Sequence, residues 1–350
     1  LLNPAGIQPG TKRMIKYFIK RSILMVVVLI VVITITFFVS RCLPGDPTAL
    51  WVGDHPTPQQ LDTAREQLGL DKPLIKQYFS FIKKLVRGDL GISLRTHQPV
   101  ITELGQRFSA TFELVTVALV FSCLLGFPLG LLAAMKTDTP YDLFIRGIGY
   151  LGLSFPVFWL GMILQIIFFG KLDWLPLQGR YTNHIYLDSQ LIFHSGFLLV
   201  DSLFSGEWAI FSDAIKHICL PAATMSCAVL GIVLRTSRSA MIDTMAEPHF
   251  TTYLTYGFTP GETILRSSYK NTLIPVSTVV GLSYGLLLGG TFLVEAIFDW
   301  PGLGQFGVLS ILTNDFPAII GITFLYTASY VVINFLIDII YVFLDPRARQ

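Results

Sequence analysis

The sequence predicts an all-α integral membrane protein with six transmembrane helices, a helical insertion after the first and a helix-bearing loop between the fourth and fifth. Three observations predict it. Of 350 residues, 52% are hydrophobic and only 14% charged, against about 25% charged in an ordinary soluble domain. Several apolar runs reach the roughly 20 residues needed to cross a hydrocarbon core about 30 Å thick. Lys and Arg gather beside alternate ends of those runs, as the positive-inside bias requires.

The first run, Ile23 to Ser40, follows a basic flank of Lys12, Arg13, Lys16, Lys20 and Arg21 and ends at Arg41. It exceeds the apolar core of a secretory leader and no small-residue cleavage site follows, so the helix is expected to be retained. Residues 1–22 form a cytoplasmic extension, with Met14 a candidate natural start. Residues 41–110 form an extracytoplasmic insertion. Within it Thr57-Pro58-Gln59-Gln60 is a capping-box signature followed by Leu61, Ala64 and Leu68 at helical spacing before Gly69. Pro73 to Val86 alternates apolar residues with lysines and reads as a second surface-packed helix, too charged and short to span.

Residues 111–350 make the core, with spans near Leu114 to Met135, Phe144 to Gly170, Ile218 to Leu234, Ile274 to Phe298 and Pro317 to Leu344. The patch Leu191 to Phe204, interrupted by His194, Ser195 and Asp201, reads as interfacial or re-entrant. Lys136, Arg146, Arg235, Arg238, Arg266, Lys270, Arg347 and Arg349 join the N-terminal flank on the cytoplasmic side, so both termini are expected there. The net charge of +2 carries no basic stripe, which disfavours nucleic acid as a partner. Cys42, Cys123, Cys219 and Cys227 lack metal-ligand spacing and read as small packing residues.

The loop 235–273 holds the most specific local signals. Pro248 suits a first helical turn, Phe250, Tyr253, Leu254 and Gly257 share one face, and Gly257 suits a left-handed C′ position. Thr259-Pro260-Gly261-Glu262 then starts a second helix through a reciprocal cap. A short helix on a stiff corner is suited to a groove on another protein, or to packing on its own bundle; local signals leave both open.

Gly257 followed by Ile274-Pro275 resembles the coupling loop of ABC importer permeases. Thr252 matches the Tyr-x-x-Thr-Ala-like pattern of the peptide and nickel branch, whereas His249 and Tyr253 depart from it. Leu43-Pro44-Gly45-Asp46-Pro47, Leu68 to Pro73, Arg87 to Gly91 with Ser93, Trp300-Pro301-Gly302-Leu303-Gly304 and Leu344-Asp345-Pro346-Arg347 also resemble dipeptide, oligopeptide and nickel-type permeases, in order along the chain. The resemblance implies a non-catalytic translocation subunit working by alternating access. Its partners would be a second homologous permease, two cytoplasmic ABC ATPase subunits carrying ATP and Mg, an extracytoplasmic solute-binding protein and the lipid bilayer. No cofactor or metal is expected on this chain. Phe250, Thr252, Tyr253, Leu254, Gly257 and Glu262 would form the ATPase-coupling site. Peptides are the first-choice cargo, with nickel chelates, opines and glycosidic oligomers as alternatives.

Polar groups inside spans are costly in lipid and are weighed as functional by default. For Glu113, Glu295 and Asp338 a packing or interfacial role is the stronger reading, and Asn334 is expected to bond between helices. Pro128 and Pro156 are candidate kinks and Pro275 opens the fifth span. Gly281, Gly285 and Gly289 form a small-residue face for close helix packing, within the chain or against a partner permease. A membrane enzyme is disfavoured, since no metal-ligand or nucleophile constellation is present, and Gly10-Thr11-Lys12 lacks the P-loop spacing. A secondary transporter or channel working without ATPases is the alternative function.

Overall fold

The structure is a computed structural model that describes residues 9–42, 47–52, 56–187 and 195–344. Most of the Leu43 to Pro47 motif, residues 191–194 of the apolar patch and all but the first residue of the C-terminal Leu-Asp-Pro-Arg motif lie outside the described residues. Among the described residues every named element is a helix. In chain order the α-helices are α1 (Pro9–Cys42), α2 (Pro47–Val52), α3 (Pro58–Leu68), α4 (Leu74–Val86), α5 (Val100–Met135), α6 (Pro140–Ser154), α7 (Val157–Gln165), α8 (Asn183–Leu187), α9 (Leu198–Ser205), α10 (Trp208–Met245), α11 (Pro248–Thr255), α12 (Pro260–Thr263), α13 (Tyr269–Ile297), α14 (Leu303–Leu312) and α15 (Phe316–Leu344), with π-helical turns at Ile166–Lys171 after α7 and Ile264–Ser268 after α12.

Five of these helices hold segments long and apolar enough to cross a membrane: Ile19–Arg41, Val100–Met135, Trp208–Met245, Asn271–Ile297 and Phe316–Ile339. A sixth candidate is the pair α6 and Val157–Lys171, in which α7 continues as a π-helical turn; it passes the same test but is bent by 103°. Phe155 is extended at φ −92°, ψ 138°, because a residue before proline is pushed out of the helical region. The expected kink at Pro156 is therefore a right-angled break. The pair still makes one traverse, since its partners on α10 step steadily from Arg238, beside Asp142, to Thr224, beside Gly161. Fourteen residues of helix span about 21 Å.

α5 and α10 form the centre of the bundle. Leu114, Val115 and Ala118 pack with Ile218, Met225, Val229 and Val233, and Tyr284, Leu287 and Val294 of α13 close over them. Lipid offers no hydrophobic drive between helices, so association rests on close backbone approach at small residues. A Cβ on Gly130 would lie 2.6 Å from the Leu234 carbonyl, and one on Gly152 only 2.4 Å from that of Cys227. Both α5, with 36 residues, and α10, with 38, are about 55 Å long at 1.5 Å per residue. They extend well past the hydrocarbon core. α5 begins at Val100, inside the stretch read as insertion, because Glu103 and Arg107 pair with each other at 2.7 Å on the helix. Their charge hid this extension in the sequence.

Within the insertion, α3 carries the expected capping box between Thr57 and Gln60, and Gly69 ends it at φ +66°. The described part of the apolar patch forms α9, which lies on the ends of α5 and α10 without crossing. Leu198 packs with Ile210 and Ala214, and the Leu199 amide donates to Glu113 at 2.7 Å. α14 is a short apolar helix that sequence reading does not register. It packs through Leu303 and Phe306 on Val100, Leu104 and Ile322. α1 stands at the edge, touching α15 through Ile33, Phe37 and Ile320.

Candidate functional site

The corner between α10 and α13 is built by local chemistry that the sequence announces. Pro248 opens α11, and Gly257 follows its end at φ +88°. The Gly257 amide donates to the Leu254 carbonyl at 3.0 Å and the Phe258 amide to that of Tyr253 at 3.3 Å. These are the two reversed bonds of a Schellman motif, whose accompanying apolar contact is the Tyr253–Phe258 ring pair at 5.6 Å. The second helix starts at once. The Thr259 amide and hydroxyl both donate to Glu262 Oε2 at 2.9 Å, and the Glu262 amide donates back to Thr259 Oγ1 at 3.4 Å. Those bonds to the Thr259 backbone and hydroxyl hold the Glu262 carboxyl below its ordinary range. Arg266 caps the corner by lying 4.6 Å from the Phe258 ring centroid.

Phe250 is placed differently from the shared face read in the sequence. It is 5% exposed and packs with Ala134 of α5, Met241 of α10 and Ile264. It anchors the helix to the bundle, because helical spacing groups residues on a face without telling which face is buried. Thr252 and Leu254 are exposed and Tyr253 is half-buried. Tyr256, absent from the sequence-based set, is 78% exposed and stands at the end of the helix. Glu247 precedes the helix, with its Oε2 3.0 Å from His249 Nδ1.

Above the corner, a cleft of about 540 Å³ opens between α10 and α13, lined by Arg235, Ser239, Asp243, Glu247, Asn271 and Pro275. Pro275 lies inside α13, which begins at Tyr269, and does not open the helix as expected. On the other side of α10, fully buried Asp142 accepts from Arg238 Nε at 2.7 Å and Nη2 at 2.8 Å, with Arg146 Nη1 at 3.7 Å. This bidentate pair fixes α6 to α10 beside the corner.

The corner shares its side of the bundle with Arg21 of α1 and Asp338 near the end of α15. α13 runs antiparallel to α15, with Gly281 against Ile337 and Gly285 against Tyr330. Asp338 on α15 in turn receives Arg21 of α1 at 2.9 Å.

The chain matches the family described as binding-protein-dependent transport system inner membrane component over residues 126–350. It also matches the N-terminal family of such membrane components over residues 14–115. The chain belongs to the binding-protein-dependent permease family. Among similar proteins is the probable D,D-dipeptide transport system permease protein DdpB of Escherichia coli K12, 39% identical over 92% of this chain and 94% of that protein. The dipeptide transport system permease protein DppB of Alkalihalophilus pseudofirmus is 34% identical over 96% of this chain and 100% of its own length. The glutathione transport system permease protein GsiC of Escherichia coli O6:H1 is 32% identical over 96% and 99%. The permease is thus a multi-pass inner-membrane component of an ABC importer, a class of system that includes an ATPase and a binding protein.

The remaining candidate residues of the permease make contacts within the chain. Buried Glu113 accepts from Arg180 Nη2 at 2.6 Å. Buried Glu295 accepts from the Thr111 hydroxyl at 2.6 Å and the Gln305 amide at 3.0 Å, tying α5 and α13 to the start of α14. Asn334 does not bond between helices as expected. Its Nδ2 donates to the Tyr330 carbonyl one turn back, at 2.8 Å on the same helix. Gly281 and Gly285 pack against α15 of this chain, whereas a Cβ at Gly289 would meet nothing within 4 Å. Among the described residues there is no cluster fit to hold a metal.

Proposed function

We propose that this permease is the translocation half-channel of a peptide importer, driven by ATP hydrolysed on two separate cytoplasmic subunits and paired with a second, homologous permease. An extracytoplasmic binding protein delivers the cargo. The observation that carries the coupling role is the corner itself: α11 is anchored by Phe250, stiffened by the Schellman and capping-box bonds, and presents Thr252, Leu254 and Tyr256 to its surroundings. A push on such a helix is transmitted to α10 and α5 through Met241 and Ala134 instead of being absorbed by a flexible loop. Glu262 and Gly257 hold the shape, and Tyr253 supports it from inside.

The basic flanks and the Arg21–Asp338 pair support a topology with both termini and the corner in the cytoplasm. Residues 41–99 and the segment around α8 and α9 then lie outside. Peptide cargo rests on the relatives, whose names specify D,D-dipeptides, dipeptides and glutathione. The test is affinity purification of the tagged permease from gently solubilised membranes, with identification of copurifying chains and an ATPase assay. Recovery of a second permease and an ATPase pair is expected, with weaker ATPase recovery from Gly257→Pro. A chain that stays alone yet transports in liposomes would make a channel or secondary carrier the right description.

A further inference from the structure

Resting on the topology proposed above, we infer that α4 lies in the extracytoplasmic interface of the bilayer, with an open apolar stripe among the acyl chains and a basic edge on anionic phospholipid headgroups. At 100° per residue the apolar positions of α4 cover one continuous arc. One side of it, Tyr78, Phe81, Ile82 and Leu85, packs on Ile33 and Phe37 of α1 and Ile320 of α15, with Leu74 in the first turn on that side 49% exposed. The other half, Ile75, Phe79 and Val86, is left 65%, 66% and 82% exposed. Lys76 and Lys83 border that open half directly, Lys84 and Arg87 continue the polar side, and all four are exposed. Apolar stripe beside lysines is the pattern of a helix lying in a membrane surface.

The packing partners fix the depth. The Tyr78 hydroxyl meets Thr34 Oγ1 at 2.7 Å, and the Phe37 ring contacts both Tyr78 and Phe81 at 5.4 and 5.5 Å. Ile33, Thr34 and Phe37 lie one to two turns inside Arg41, the end of the first span, which is about 6–12 Å along the helix axis. Interfacial helices bury their apolar face about 5–10 Å into the headgroup and acyl boundary. The stripe is also continuous with lipid-facing α1, where Ile30, Ile35 and Val39 are each more than half exposed. At this depth the lysine stems reach outward to the phosphates, and an anionic headgroup within a few ångströms attracts the ammonium by simple Coulomb interaction.

Single cysteines at Phe79, Val86 and, as a control on α3, Asp62 would be introduced into the full chain with its four native cysteines replaced by serine. The assembled transporter would be reconstituted in vesicles of phosphatidylcholine and phosphatidylglycerol, and nitroxide accessibility to oxygen and to a water-soluble nickel chelate measured. F79C and V86C are expected to favour oxygen, at depths of about 5–10 Å, and D62C to favour nickel. Nickel access at F79C and V86C, or shielding from both reagents, would show water or protein over the stripe and overturn the inference. With the native side chains restored, spin-labelled phosphatidylglycerol is expected to bind in preference to phosphatidylcholine, and K76Q/K83Q/K84Q to bring that preference toward unity. An unchanged preference would remove the headgroup assignment.

Discussion

Replacing Gly231 by alanine tests whether backbone contact between α6 and α10 holds the corner half of the bundle together. A Cβ at Gly231 would sit 2.4 Å from the Gly149 carbonyl oxygen and 3.0 Å from Leu153 Cγ. Neither obstacle is the far end of a flexible side chain, so the helices must part by about 1 Å, enough to forfeit a quarter to a half of each contact's attraction. Overpacking of this kind costs about 1–3 kcal/mol. If the contact forms late in folding, the native half-life in detergent falls by about 5- to 150-fold at fixed temperature. A Cβ at Gly147 of α6 would meet nothing within 4 Å, and Gly147→Ala gains helix propensity of about 0.8–1 kcal/mol. The assay is decay of the monodisperse peak in size-exclusion chromatography of the purified permease. A G231A half-life within about twofold of the native one, or the same shift from both variants, would refute the packing argument.

Two further outcomes follow from the Asp142–Arg238 ion pair and the corner. Asp142→Asn should destabilise the permease by about 3 kcal/mol, because Arg238 and Arg146 lose a buried partner; adding Arg238→Gln should restore part of the loss, and a double-mutant cycle on detergent half-life measures it. Glu262 contributes through its carboxylate, whose folded value is depressed. Its contribution is present above the ordinary carboxylate range near 4.3 and is lost as pH falls through the depressed value. Hydrogen exchange of residues 256–264, corrected for intrinsic rates, should therefore stay flat from neutral pH through about 5 and accelerate only at lower pH, whereas Glu262→Gln should show no such pH-dependent step.

Local chemistry was the most legible part of the sequence. Both capping boxes, at Thr57 and Thr259, and the positive φ of Gly257 appear where short-range patterns place them, since each depends on four or five neighbouring residues. The membrane helices were legible as apolar runs, but their ends were not. α5 continues through Glu103 and Arg107 because those charges satisfy each other, and α14, with ten residues, is too short for a length criterion to register. The orientation of α11 was hidden for a different reason. Periodicity places Phe250 with Tyr253 and Leu254, but only tertiary contact with Ala134 and Met241 decides that Phe250 points inward and Tyr256 outward. Asn334 likewise had a near partner on its own helix that no spacing argument favours over a distant one.

The most direct test of the coupling role is Tyr256→Ala in the complete reconstituted transporter, since this side chain is 78% exposed and supports no core. Recovery of the ATPase subunits with the permease, and substrate-dependent uptake, would be measured together with the half-life of the isolated permease. The account predicts an unchanged half-life with ATPase affinity reduced at least about tenfold, the loss expected for an aromatic anchor in a groove. Full ATPase recovery and native uptake from Tyr256→Ala and Leu254→Ala together would contradict it and place the contact elsewhere on the cytoplasmic face.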